Sequence, residues 1–449
     1  MRSPLAGTFR SLTIRNFRLF AAGQLVSVAG TWMMVVAQDW LVLSLTGDSG
    51  TALGLVTALQ FTPLLLLTLY AGGLADRHDK RRLLIAANLA SALLALLLGM
   101  LVLTGRAGLW HVCLFALALG IVNSVEVPAR MSFVSELVGA DLLPNASALS
   151  AAYFNTARVA GPAVAGLLID RFGTAAVMLL NAVSYLATVL ALRAMRPAEL
   201  YRDGRRPSRA PVLDGVRHLA GRRDLVLPMV LVAVVGLLGL NFQLTLPLLA
   251  KTVFHADASA FGLLTTAFAA GSLLAALVTT GRRGRPSAGL VIGAALGFGV
   301  LEFAAGLAPT LRVAAALLLG TGFGSLYFAQ AANHRIQLGS DPGYRGRVMA
   351  LYTLTLQGTT PLGALLTGAL TERLGARAGL LAGGAATALA ASAALLVQLR
   401  GRTRTSHQIR TSHGGTHHDH PADSVRARPD RFGRGAEGGG TGGTRRLRP

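Results

Sequence analysis

Three ionisable side chains stand inside long apolar runs: Asp39, Arg158 and Glu302. A charge at bilayer depth costs about 2.5–3.5 kcal/mol even on lenient scales, so each is read as functional unless it can escape to a surface. Asp39 lies in the outer third of the first apolar run. A carboxyl in low-dielectric surroundings resists ionisation, which suits it to loading and releasing a proton. Arg158 lies roughly 16 Å into the fifth run by helix rise, near its middle. It is expected in a substrate or coupling site, the alternative being a structural bond between helices. By the same rise Asp39 and Arg158 differ in height by roughly 15 Å, so no direct pairing is expected. Glu302 falls near the outer end of the ninth run, where snorkelling to the interface is the expectation.

Uncharged polar residues inside the runs are weaker signals. Gln24, Gln38, Asn123, Asn241, Gln243, Tyr327 and Gln330 could each contact a substrate, and each could equally bond a neighbouring helix. No enzyme chemistry is legible. There is no phosphate-cradling glycine loop followed by Lys and Ser or Thr, so direct ATP drive is not expected, and no cofactor is expected. The lone cysteine, Cys113, excludes an internal disulfide framework. Four histidines in the tail, His413, His417, His418 and His420, have nothing to organise them, so no metal site is expected.

The elements that must position these groups follow from composition. The 449 residues are 52% hydrophobic and 14% charged, where a soluble chain carries roughly a quarter charged residues. Apolar runs recur, each long enough for a hydrocarbon core of about 30 Å. Twelve spans are read, at 18–45, 51–75, 83–104, 109–128, 147–169, 175–195, 226–249, 259–280, 287–307, 310–331, 347–370 and 377–399. Residues 1–18 carry four arginines and no short apolar core with a cleavage site, so no cleavable leader is expected. The net charge of +22 is spread over short loops and one terminal tail. That pattern belongs to membrane topology and argues against nucleic-acid binding. With both ends inside, the inner loops hold 24 basic residues and the outer loops six. The bias places both termini in the cytoplasm.

The chain divides into a six-helix half at 1–196, a cytoplasmic middle loop at 197–225, a second six-helix half at 226–399 and a disordered Arg/Gly/His-rich tail at 400–449. A shift of 202 residues lays Gly161 on Gly363, Gly166 on Gly368 and Asp170-Arg171-Phe172-Gly173 on Glu372-Arg373-Leu374-Gly375. Parallel six-helix repeats with a midplane site between them are a transporter architecture.

Two motifs are more specific. After the second run the chain reads Gly72-Gly73-Leu74-Ala75-Asp76-Arg77-His78-Asp79-Lys80-Arg81-Arg82. Glycines let helices approach closely, and a carboxylate at the membrane edge can face a helix N-terminus or an arginine. The stretch resembles the loop signature of the major facilitator superfamily, with Asp79 where the family has glycine. The resemblance implies an all-α membrane protein of twelve transmembrane helices in two six-helix pseudo-repeats. It also implies that Gly72, Gly73, Asp76, Arg77 and Arg81 form an inner gate latch, with Glu126 as partner to Arg77 or Arg81. The matching loop of the second half, Gly281 to Pro286, has no Asp, so the latch is expected in the first half alone.

In the fifth run, Gly161-Pro162 and Gly166 are similar to the core of the family's antiporter motif, with Ala165 replacing one glycine. Pro162 removes a backbone donor and bends its helix. Asn16-Phe17-Arg18-Leu19-Phe20, Pro128-Ala129-Arg130 and Arg345-Gly346-Arg347-Val348-Met349 are similar to the bacterial exporter branch that includes enterobactin and macrolide efflux proteins. What this resemblance implies is proton-coupled export of a small organic molecule across the bacterial inner membrane by a monomer. Import of a metabolite on the same fold is the alternative. The expected partners are a small-molecule substrate, protons and the lipid bilayer.

Overall fold

The protein is described here by a computed structural model covering residues 9–201, 217–219, 221–280 and 284–413. The chain forms two compact units, Met1–Gln398 and Leu399–Pro449. The described residues are helical throughout, with no strand among them. Without water, a spanning backbone must satisfy its own polar groups, and helices do so within each segment.

Before the expected middle loop, in what is called the first half by sequence position alone, lie α1 (Arg15–Thr46), α2 (Gly50–Arg77), α3 (Lys80–Leu103) and α4 (Leu109–Arg193). The 85 residues of α4 are three rods, broken at Gly139 (φ +70°) and Gly173 (φ +79°). Both breaks use positive φ that only glycine adopts cheaply. The second half comprises α5 (Arg223–Val234), a π turn (Val235–Gly239), α6 (Phe242–Leu248), a second π turn (Leu249–Val253), α7 (Ala258–Thr279), α8 (Ala288–Gly306), α9 (Leu311–Gly339), α10 (Arg345–Gly358), α11 (Thr360–Leu374) and α12 (Arg377–His413).

Each of the twelve expected spans falls on largely helical backbone. Nine helices among the described residues are long and apolar enough to cross a membrane. Three expected spans merge in α4, and one is divided between α10 and α11. α12 continues past the expected boundary near 399, as far as His413. The rest of the expected tail, with His417, His418 and His420, lies outside the described residues.

Helix starts follow the sequence closely. Ser49, Asp79, Asp257, Ser287 and Thr310 each cap a helix, accepting the backbone N–H of the third residue on. These short polar side chains satisfy donors that a helix start leaves orphaned. Asp79, the residue that departs from the family signature, is the cap of α3: its Oδ1 accepts from Arg82 N at 3.1 Å.

The connections define two ends of the bundle. The proximal end carries Arg15 and the turns at 78–79 and 139; the distal end carries the turns at 47–49, 173 and 254–257. At the distal end the halves meet along two seams, α2 against α11 and the middle rod of α4 against α7. Both seams are built of backbone on backbone. A Cβ at Gly54 would stand 2.5 Å from Ala364 O, and one at Gly262 would collide with Pro162 O. Likewise a Cβ at Gly166 would stand 2.6 Å from Ala258 O, and one at Gly368 2.7 Å from Gly50 O. Small residues are what permit such approach between membrane helices.

Gly54→Ala or Gly262→Ala should therefore destabilise the detergent-solubilised protein by about 1–3 kcal/mol, the range for overpacking. Gly293→Ala, where the added carbon meets open space, should change it by less than about 0.5 kcal/mol. Thermal unfolding of the three variants checks this, and equal midpoints would refute close backbone packing at the seams.

Candidate functional site

Between the halves lies a cavity of about 440 Å³. Its wall takes Trp32 and Asp39 from α1, Arg158 and Pro162 from the middle rod of α4, and Gln243 from α6. Phe261 and Ser272 of α7, Ser325 of α9 and Gln357 of α10 contribute to the polar and aromatic lining. Asp39 and Arg158, the two charged groups expected at a coupling or substrate site, both line the cavity.

They meet it differently. Asp39 is fully buried, and neither carboxyl oxygen has a hydrogen bond of standard geometry. The amide of Gln243 is the polar group that faces it. Gln243 is brought there by a break in its span: the π turn ends at Gly239, Leu240 and Asn241 leave helical geometry, and α6 restarts at Phe242. Asn241 holds the break by donating from Nδ2 to Leu237 O at 2.9 Å and Leu238 O at 3.2 Å. Such π bulges are frequent at functional sites.

Arg158 makes no ion pair with Asp39. Its guanidinium lies over the Trp32 ring, with Cζ 5.4 Å from the ring centre. Trp32 in turn packs edge-on against Phe154 at 6.1 Å. A ring face attracts a cation without neutralising it. Trp32 precedes Asp39 by two helical turns, about 10 Å along α1. The ring therefore stands between the height of the arginine and that of the carboxyl. Gly161, next to Pro162, sets this approach, since a Cβ there would be 2.7 Å from Trp32 Cβ.

Of the polar residues expected to face a substrate, only Gln243 lines the cavity. Gln38 donates to Gln60 Oε1 at 3.1 Å, an α1–α2 bond. Gln24 is buried, Asn241 serves the helix break, and Tyr327 stacks on Phe323 at 5.7 Å. Asn123 and Gln330 are half-buried and lie away from the cavity wall. Sequence reading missed Trp32, Gln357 and the Phe242, Phe261 and Phe268 cluster. Aromatic and small polar residues at helical spacing look the same whether they face a cavity or a neighbour.

Glu302 departs from its expectation. It does not snorkel: the residue is 2% exposed and turned inward, against Gly383 and the π turn at Gly239. Its Oε2 has no hydrogen-bond partner. The close glycines leave room for the carboxyl to fold into the bundle.

At the proximal end, Glu126 does not pair with Arg77 or Arg81. It accepts from Arg130 Nε at 2.9 Å, one turn away on the same rod. Arg81 instead donates to Leu192 O at 2.6 Å and Arg193 O at 3.1 Å, where the C-terminal carbonyls of α4 attract a cation. Lys80 pairs with Glu136. Gly72 and Gly73 lie in helical backbone near the end of α2, and the side chain of Asp76 is outside the description. The second half is also better supplied than its loop suggests. Arg285 Nη2 donates to Asp224 Oδ2 at 2.7 Å, and Arg222 bridges Asp224 and Asp341. The acid missing from the loop comes from the start of α5 and from the turn before α10.

Asp39→Asn keeps volume while removing the charge. A buried carboxyl without a partner is a cost to stability, so this variant should melt at the parent temperature or a few degrees above it. A fall of several degrees would show that the carboxylate is held by a structural partner.

The comparisons with known proteins agree with this architecture. A family profile described as "transmembrane secretion effector" matches residues 6–426. A staphyloferrin A transporter of Staphylococcus aureus is 27% identical over 268 residues, covering 58% of this chain and 66% of its own length. The multidrug efflux pump Tap of Mycolicibacterium fortuitum is 27% identical over 375 residues, covering 81% and 90%. A crystal structure of a bacterial homologue of the human lysosomal transporter Spinster superposes with a TM-score of 0.70, at 14% identity, over 85% of this chain and 96% of that one. With its helical bundle, its cavity between two halves and a profile match over most of its length, the chain belongs to the transmembrane secretion effector family of major facilitator transporters.

Proposed function

We propose that the protein exports a small organic molecule in exchange for protons, by alternating access to the cavity between its halves at 1–196 and 226–399. The observation that carries this reading is Asp39, a fully buried carboxyl without a basic partner on the wall of that cavity. Such a group can hold a proton in one state and give it up when the cavity opens to water on the other side. Arg158 and the Trp32 ring are the substrate-binding pair. The remaining wall is largely apolar and aromatic, which suits amphipathic compounds; drugs, siderophores and secreted natural products fit this description. Likeness to a siderophore transporter and to a multidrug efflux pump supports the class.

The proximal end faces the cytoplasm, a reading supported by the bias of 24 basic residues against six. The charged groups there, with Asp76, Arg77, Arg81 and Glu126 on the first half and Asp224, Arg285 and Asp341 on the second, act as the inner gate. Pro162, between Gly161 and Gly166, sits where α4 meets both the cavity and the distal seam, which favours a role in exchange. The protein acts as a monomer in the bacterial inner membrane.

The test is proton movement in energised inside-out vesicles, against a panel of dyes, antibiotics and siderophores. A transported compound should release protons from wild-type vesicles, and Asp39→Asn should lower that release at least tenfold. Arg158→Ala should raise the apparent KM at least tenfold and leave residual proton exchange. Release that persists in Asp39→Asn would remove Asp39 from the proton path. Transport without proton movement would overturn exchange, and accumulation in the opposite direction would overturn export.

A further inference from the structure

Two carboxylates at the distal end reach across from one half to the other, and they do so in the same way. Asp170, near the end of the middle rod of α4, accepts from Ala258 N at 3.0 Å through Oδ1 and from Ser259 N at 3.0 Å through Oδ2. These are the first two residues of α7. Glu372, near the end of α11, accepts through Oε2 from Thr51 N at 3.2 Å and from Ser49 Oγ at 2.9 Å. Ser49 is the cap of α2, and Thr51 is its second residue. Each carboxylate thus belongs to one half and sits on a helix start of the other.

The two contacts are related by the internal repeat. Asp170 and Glu372 are 202 residues apart, the shift that aligns Gly166 with Gly368. The recipients are related too, since Ser49 corresponds to Asp257 and Thr51 to Ser259 at a spacing of 208. A helix start leaves four N–H groups unpaired. The local cap, Ser49 or Asp257, takes the third of them, from Ala52 or Ala260. The carboxylate from the other half takes what the local cap leaves. The helix dipole adds attraction for the negative charge. Hydrogen bonds from Thr51 N, Ser49 Oγ and Gly50 hold the Glu372 carboxyl below its usual range, so it is charged at neutral pH.

We propose that Asp170 and Glu372 are paired latches of the distal gate, each locking a helix start of the opposite half, and that both must release before the cavity opens at that end. The proposal rests on the alternating-access reading above. It follows from geometry: α7 cannot swing away from α4, nor α2 from α11, without surrendering these bonds. When the seam parts, water can reach the donors and carboxylates, so the latch is reversible. The glycine pairs beneath, Gly166 with Gly262 and Gly368 with Gly54, are apolar backbone contacts that confer no such polar specificity. A third cross-half contact, Lys251 Nζ to Asp48 Oδ1 at 2.7 Å, joins side chains alone and has no counterpart under the repeat among the described ion pairs.

The test uses the full chain in membrane vesicles of both orientations. A single reporter cysteine replaces the cavity residue Ala269, in a Cys113→Ala background, and is labelled with a membrane-impermeant maleimide. The distal face is the one that carries the turn between α3 and α4, at 104–108, identified by protease access to a cleavage site placed in that turn. Asp170→Asn with Glu372→Gln should raise labelling from the distal face at least tenfold over the reporter parent, with each single change giving a smaller rise. Thr51→Pro and Ser259→Pro each remove one of the two donors to a latch and leave the carboxylates. Proline is tolerated in the first turn of a helix, so these variants should fold. Each should reproduce part of the effect of the matching carboxylate change. Thr51→Pro added to Glu372→Gln should produce little further rise, because both break one contact.

Labelling within about twofold of the parent in a double variant of unchanged thermal midpoint would overturn the proposal. Full additivity of Thr51→Pro on Glu372→Gln would overturn it as well. The readout needs neither substrate nor proton gradient, so a failure of the export reading would leave the labelling pattern intact.

Discussion

The fold depends on how closely two helical halves can approach where no water is present. Once every spanning segment is a helix, its backbone polar groups are satisfied internally, and the halves can cohere only through side-chain packing, backbone contact and a few polar bonds. Along α2–α11 and α4–α7 the chain uses backbone contact, with glycines set against carbonyl oxygens. That choice explains the rest of the interface. Small residues exclude bulky apolar interdigitation, so the seam is tight at the distal end and a cavity remains below it. The glycines that look like family ornament in the sequence are the hardware of the seam.

The cavity is built by departures from regular helix. A straight seventh span would carry Gln243 in register with its neighbours. The π turn at Val235–Gly239 and the gap at Leu240 and Asn241 re-aim it toward Asp39. On the opposite wall Pro162 stands inside continuous helix and withholds one backbone donor. The two walls then bring together one carboxyl, one guanidinium and several aromatic rings, with α1 and α9 both contributing to the lining. Arg158 is steadied by the Trp32 ring, which leaves its charge uncompensated within the cavity. Glu302 is a second buried carboxyl, and the same π turn supplies its packing partner Gly239. Both buried acids therefore lie beside one irregular span.

Charges at the proximal end follow a different logic. The ion pairs described there are Lys80 with Glu136, Arg130 with Glu126, and Arg285 and Arg222 with Asp224, each between segments close to one another at that end. The described polar bonds between halves, apart from Thr266 Oγ1 to Val159 O, cluster at the distal end. Among the described residues, the polar bonds that join the halves thus concentrate distally. The second half achieves its proximal network without the acidic loop residue of the first, because Asp224 and Asp341 come from neighbouring segments. Loop signatures alone therefore understate what a folded end contains.

The sequence by itself determined the class of structure. Long apolar runs, Ser, Asp and Thr at helix starts, and the basic bias are local properties, legible because bilayer thickness and backbone capping act over a few residues. Asp39 and Arg158 also stood out in the sequence, since a charge in hydrocarbon is anomalous wherever it points, and both line the cavity. Direction was not legible. Whether Gln38 met a cavity or Gln60, whether Glu302 reached the surface or folded inward, and which arginine Glu126 would hold all depended on helix rotation and on the neighbour presented. Those are set by packing between segments far apart in the chain. The same holds for Asp170 and Glu372: the repeat aligned them, and only the tertiary structure placed each carboxylate on the first turn of a helix from the other half.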